Sequence, residues 1–222
     1  MPAPIEPLST SILVIMYFGD VVFAISGALT AASHRMDIIG FVLIGTVTGI
    51  GGGTIRDLLL GRTVWWTQDP FELILCVIAA LVIFFLIRSD ITQRKGMIWS
   101  DALGLSVFGV VGCYVALQFG APFVIAVFMG VVTATGGGVI RDVLTQNTPM
   151  IMRGQLYATA ALLGSLSYAG MRYLGVHEIA AEVVAFLAAF SLRASAIIFD
   201  IRMGPPGEFI RIGKTDDGRD KH

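Results

Sequence analysis

The chain has 222 residues, of which 55% are hydrophobic and 14% charged, with a formal net charge of −1 and a mean hydropathy of +0.81. Soluble domains carry about a quarter charged residues, so this composition is too poor in charge for a soluble globule, and the near-neutral balance gives no reason to expect a nucleic-acid partner. The apolar residues fall in long runs, which makes the lipid bilayer the expected solvent.

Residues 1–11 carry Glu6 and no Lys or Arg. They lack the basic start of a signal peptide, so the first apolar run is expected to be retained as a span. Seven runs then follow, at residues 12–32, 38–60, 71–87, 101–117, 122–144, 156–174 and 179–201. Each approaches the roughly 17–25 residues that a helix needs to cross the hydrocarbon core. In Asp69-Pro70-Phe71-Glu72 an Asp cap, a Pro at the first position and an acid in the first turn predict a helix start, and Pro122 opens the fifth run in the same way. Cys76 and Cys113 lie inside apolar runs and read as small buried hydrophobes. His34, His177 and His222 form no ligand pattern, so neither a metal nor a cofactor is expected. The tail after Met203 holds Pro205, Pro206 and mixed charges, and reads as a short solvated segment.

Orientation follows from the loop cations. With the N-terminus outside, Arg35, Arg88, Arg94, Lys95, Arg153, Arg202, Arg211, Lys214, Arg219 and Lys221 lie on the inner side, and only Arg62 and Arg172 on the outer. The expectation is N-out and C-in, with Trp65 and Trp66 at the outer interface.

The second run contains Gly51-Gly52-Gly53-Thr54-Ile55-Arg56-Asp57-Leu58-Leu59 and the fifth Gly136-Gly137-Gly138-Val139-Ile140-Arg141-Asp142-Val143-Leu144, displaced by 85 residues. An acid also recurs near the head of each unit, Asp20 and Asp101. A three-helix unit crosses an odd number of times, so its second copy must be inserted the other way up. The expected fold is therefore all-α, with seven transmembrane helices. Its divisions are a first three-helix repeat at 10–90, a second, inverted repeat at 98–175, a seventh helix at 178–202 and a cytoplasmic tail at 203–222.

Three glycines in a helix cost about 1 kcal/mol each relative to Ala. They are tolerable where the backbone packs closely or lines a wet cavity. Two triplets near mid-membrane favour two kinked helices beside a polar path. No strand precedes Gly49-Ile50-Gly51 and no P-loop Lys follows, which argues against a nucleotide loop. Arg56 and Asp57, like Arg141 and Asp142, are neighbours whose side chains leave the helix about 100° apart. Each arginine therefore needs a partner elsewhere, and the expected pairs are Asp20 with Arg56 and Asp101 with Arg141, either as orienting struts or as pore charges. Thr48 and Thr133, with Thr46 and Thr135, are weaker candidates for hydroxyls on the path, since helical Thr usually bonds its own backbone. In the seventh run Glu182, Arg193 and Asp200 fall on one stripe, expected to face inward.

The duplicated motif on the second and fifth of seven spans resembles the prokaryotic members of the trimeric intracellular cation (TRIC) channel family, over residues 10–202. The resemblance implies a multi-pass inner-membrane homotrimer with one pore per subunit. The permeant ions would be monovalent, chiefly potassium, with sodium a second candidate. It maps the pore onto Gly51, Gly52, Gly53, Arg56, Gly136, Gly137, Gly138 and Arg141. Animal members carry a lysine-containing motif here and bind a phosphoinositide; this chain has Ile-Arg-Asp and no Lys in any span, so that control is not carried over. The same domain pattern is linked in bacteria to glycine uptake, which leaves a small-substrate transporter working by alternating access as the second reading. An enzyme is not expected, because no catalytic constellation occurs in the spans.

Overall fold

The computed structural model describes residues 9–87, 90–153, 156–202 and 211–212. Seven α-helices follow one another: α1 (Thr10–Ser33), α2 (Ile38–Leu59), α3 (Phe71–Leu86), α4 (Asp90–Gln118), α5 (Phe123–Leu144), α6 (Ala158–Tyr173) and α7 (Glu178–Ile198). Five of them are long and apolar enough to cross a membrane; α3 and α6 have 16 residues each. Sixteen residues rise about 24 Å. Each of these short helices is preceded by a 3₁₀ turn, at Trp65–Thr67 and at Met150–Met152, again displaced by 85. Large apolar side chains such as Ile39, Ile78, Val124, Phe128 and Leu187 stay exposed, as they must in a bundle solvated by lipid.

The helix ends follow local chemistry. Asp37 caps α2 through the Gly40 amide, at 2.9 Å. Asp69 accepts the Phe71 amide at 3.1 Å, and α3 starts at Phe71 with Pro70 just outside it. The largest departure from expectation is α4, which begins at Asp90 and not near 101. Its polar first turns carry no hydropathy signal, yet nothing there stops a helix, and 29 residues overshoot the hydrocarbon core. Asp200 is a second departure. It lies beyond α7 with φ +48°, paired to Arg202 at 3.0 Å, so only Glu182 and Arg193 of the expected stripe are buried in α7. Past α7, β1 (Ile201–Arg202) pairs antiparallel with β2 (Arg211–Ile212). The rest of the predicted tail lies outside the described residues.

The two triplets pack as inverted copies. Gly19 of α1 meets Val107 and Phe108 of α4, while Gly104 meets Phe23, so the first helices of the two units run antiparallel. The same holds for α2 and α5. A Cβ on Gly52 would strike the Thr133 carbonyl, and one on Gly137 would strike the Thr48 carbonyl. Shifting either contact by 85 residues produces the other, which places the pseudo-two-fold axis at this crossing. Gly27 against Thr48 and Gly112 against Thr133 form another such pair. The seventh helix stands outside the repeat and packs on α6, with Gly164 against Ala189.

Candidate functional site

Neither glycine triplet interrupts its helix: α2 and α5 run as continuous α-helices through Gly51, Gly52, Gly53 and Gly136, Gly137, Gly138. The triplets also form the contact between these two helices. Gly136 would place a Cβ 3.1 Å from the Gly52 Cα, and Gly51 one 3.7 Å from the Gly137 Cα, so the two backbones touch with no side chain between them. The missing side chains serve approach, and the helical hydrogen bonds survive because each is shielded by the opposing helix. Thr48 and Thr133 are buried beside this crossing and donate to the Ile44 and Met129 carbonyls, each at 2.6 Å. Thr135 bonds Val131 in the same way. Their hydroxyls serve their own helices.

The intramembrane charges divide unequally between the copies. Arg141 is fully buried. It donates to Asp101 at 2.7 Å, to Asp142 at 2.9 Å and to the Ser26 hydroxyl at 2.6 Å. Asp142 also accepts the Met150 amide at 3.0 Å, tying the 3₁₀ turn to α5. The Tyr157 hydroxyl lies 3.5 Å from the same Asp101 oxygen, and its ring lies under the Arg193 guanidinium at 5.1 Å.

Arg56 is 2% exposed and holds Asp57 at 2.8 Å, with its guanidinium 5.4 Å from the centre of the Trp65 ring. Arg62 approaches Asp57 at 3.7 Å. The expected pair between Asp20 and Arg56 does not form, and the reason lies in the register. The position 85 residues before Asp101 is Met16, so Asp20 sits one helical turn too deep to mimic Asp101. The expectation that adjacent Arg and Asp cannot meet is also corrected. It follows the directions in which the side chains leave the helix, but the long Arg arm curls back onto the neighbouring carboxylate in both copies.

Two polar clefts flank the glycine crossing at opposite ends of the bundle. One, of about 320 Å³, is lined by Met16, Tyr17, Arg56, Arg62, Trp65 and Glu72 among others. The second, of about 290 Å³, is lined by Thr30, Ser33, Gln93, Arg94, Asn147 and Arg153 among others. Ser26, which holds Arg141, lies one turn from Thr30 on α1, and Thr30 lines that second cleft. Sequence reasoning missed Ser26, Trp65, Glu72 and Tyr157. A uniform displacement of 85 would have found two of them, since it sets Glu72 opposite Tyr157.

Comparison with known proteins matches a family model described as glycine transporter twice, at residues 13–88 and 98–173. The chain is 39% identical over 188 residues to the inner membrane protein YadS of Escherichia coli (strain K12), covering 83% of this chain and 91% of that one. It is similar to the solved TRIC trimeric intracellular cation channel orthologue from Rhodobacter sphaeroides, with a TM-score of 0.83 and 43% identity over 86% of this chain and all of that one. A prokaryotic TRIC channel solved in 0.5 M KCl matches with a TM-score of 0.81 and 32% identity, over 87% of this chain and 98% of that one.

Proposed function

This chain belongs to the glycine transporter family as a multi-pass protein of the inner membrane, and we propose that it is a monovalent cation channel, permeable chiefly to potassium, that works as a homotrimer with a pore inside each subunit. The observation that carries this reading is the pair of polar clefts at opposite ends of the glycine crossing, the first of them lined by the motif Arg56. The pore follows the seam between them. It passes Arg56, Asp57 and Asp20, then the crossing, then Asp101, Arg141 and Asp142. The solved relatives titled as TRIC cation channels support the ion class and the trimer.

On this reading the crossing seals the seam, and the conformation described is the closed one. Opening requires α2 and α5 to part at a contact made of glycine backbone and the Ile55 and Ile140 side chains. The arginines stand where they would repel cations. Their bound aspartates neutralise them, and the acids of the Arg56-side cleft tip the balance toward cations. The cation bias of the loops favours the N-terminus outside, which puts the Arg56-side cleft on the outer face.

A second reading, a glycine transporter using the inverted repeat for alternating access, is favoured by the family description and by the unequal hold on the two arginines. Reconstituted flux separates the two. Unitary potassium currents in a planar bilayer, with sodium passing less well and glycine without effect, are the expected result. Saturable glycine uptake without unitary currents would select the transporter.

A further inference from the structure

Asp20 lies on α1 one turn below Met16 and Tyr17, which line the Arg56-side cleft. It is fully buried, and neither of its carboxylate oxygens has a hydrogen-bond partner among the described residues. The charged groups that act on it are Glu72 and Arg56. Arg56 is already engaged by Asp57 and lies over Trp65. Glu72, 4% exposed, lines the cleft itself, with Asp69 near the rim. One turn beyond Glu72 on α3, the Cys76 thiol contacts the Asp20 main-chain carbonyl at 3.7 Å, so Asp20 and Glu72 share the seam between α1 and α3.

An ionised carboxylate held out of water without a donor is strongly unfavourable, and a second carboxylate beside it worsens the imbalance. In the other repeat the matching seam carries Leu105 and Tyr157 in place of Asp20 and Glu72, and Asp101 receives Arg141 directly. A proton or a bound cation must neutralise the first repeat, and the cleft supplies a wet approach for a cation from Asp69 through Glu72.

We propose that Asp20 and Glu72 form a binding site for one partly dehydrated alkali cation in the α1–α3 seam, beneath the Arg56-side cleft that Glu72 lines. Its part in conduction rests on the channel reading; its occupancy does not. A monovalent ion that keeps part of its water suits the cleft.

Binding is read by thermal unfolding of the purified full chain in detergent, in potassium or sodium chloride against choline chloride at equal ionic strength. The wild type should melt several degrees higher in the alkali salts. Asp20→Asn, nearly isosteric, should lose that difference, and Glu72→Gln should reduce it. In planar bilayers Asp20→Asn should raise the half-saturating potassium concentration about tenfold, as loss of one close charge contact implies. Equal melting of the wild type in potassium, sodium and choline chloride overturns the proposal, as does an alkali shift that persists in Asp20→Asn. If Asp20→Asn fails to fold, Glu72→Gln on the cleft wall carries the same test. A wild type without potassium current removes the channel reading and leaves the melting comparison to decide the site.

Discussion

The two copies of the three-helix unit share a backbone contact and differ in how they hold their charge. At the crossing, Gly52 and Gly137 meet the Thr133 and Thr48 carbonyls in mirrored fashion. One turn further along each helix the likeness ends. Arg141 is held by two carboxylates and a hydroxyl, all buried. Arg56 has one carboxylate in hydrogen-bonding range, an aromatic ring and a cleft. The difference traces to two positions, Met16 against Asp101 and Val111 against Ser26. A duplicated fold can thus keep its geometry while one half becomes a latch and the other a mouth.

The strongest way to break the symmetric part is to add a methyl group at the crossing. Gly52→Ala and Gly137→Ala each set a Cβ against a main-chain carbonyl that no side-chain rotation can move. Both should lose most folded protein in size-exclusion profiles, and to similar extents, because they attack the two ends of one contact. A large effect at one and none at the other would deny the two-fold relation. The next test concerns the charges. Arg141→Gln leaves Asp101 and Asp142 buried without their cation and should cost about 3–5 kcal/mol. Arg56→Gln leaves buried Asp57 with Arg62 at 3.7 Å as a substitute cation and should cost less, about 2 kcal/mol. Unfolding in mixed micelles by titration with sodium dodecyl sulfate measures both, and equal losses would erase the distinction between latch and mouth. The smallest structural change sharpens the comparison. Met16→Asp gives Arg56 the second carboxylate its counterpart has. It should fold normally, tie Arg56 down against the cleft wall and lower potassium flux several-fold in proteoliposomes.

Much of this was legible in the residues. Hydropathy located seven helices because lipid tolerates no exposed polar backbone, and the repeated Gly-Gly-Gly-x-Ile-Arg-Asp marked the two central helices and their opposite insertion. The pair of Asp101 and Arg141 followed from depth alone. The misreadings have physical causes. Helix propensity charges three glycines as a weakness, but the gain from close approach depends on a partner helix that propensity does not see. A helical projection gives the direction of a Cβ and not the reach of a guanidinium, so the Arg56–Asp57 and Arg141–Asp142 contacts were hidden. Asp20 looked like the mate of Asp101 because both are acids near the head of a unit. Their spacing of 81, against 85 elsewhere, is the one-turn slip that leaves Asp20 without a hydrogen-bond partner. Trp65 and Tyr157 act through turns that fold back against Gly53 and Gly138, and such long-range returns have no periodicity to betray them.

The inverted crossing also sets the order of assembly during synthesis. The ribosome delivers α1, α2 and α3 first, and at that stage Gly52 borders lipid where the Thr133 carbonyl will later lie. The first half therefore enters the bilayer with its central surface unfinished, and it must wait for α5 to emerge before either copy is complete. Biogenesis of this protein is a post-insertion clasp between halves threaded in opposite senses, and a pause in translation between α3 and α4 would prolong the interval in which that bare glycine face is open to quality-control proteases.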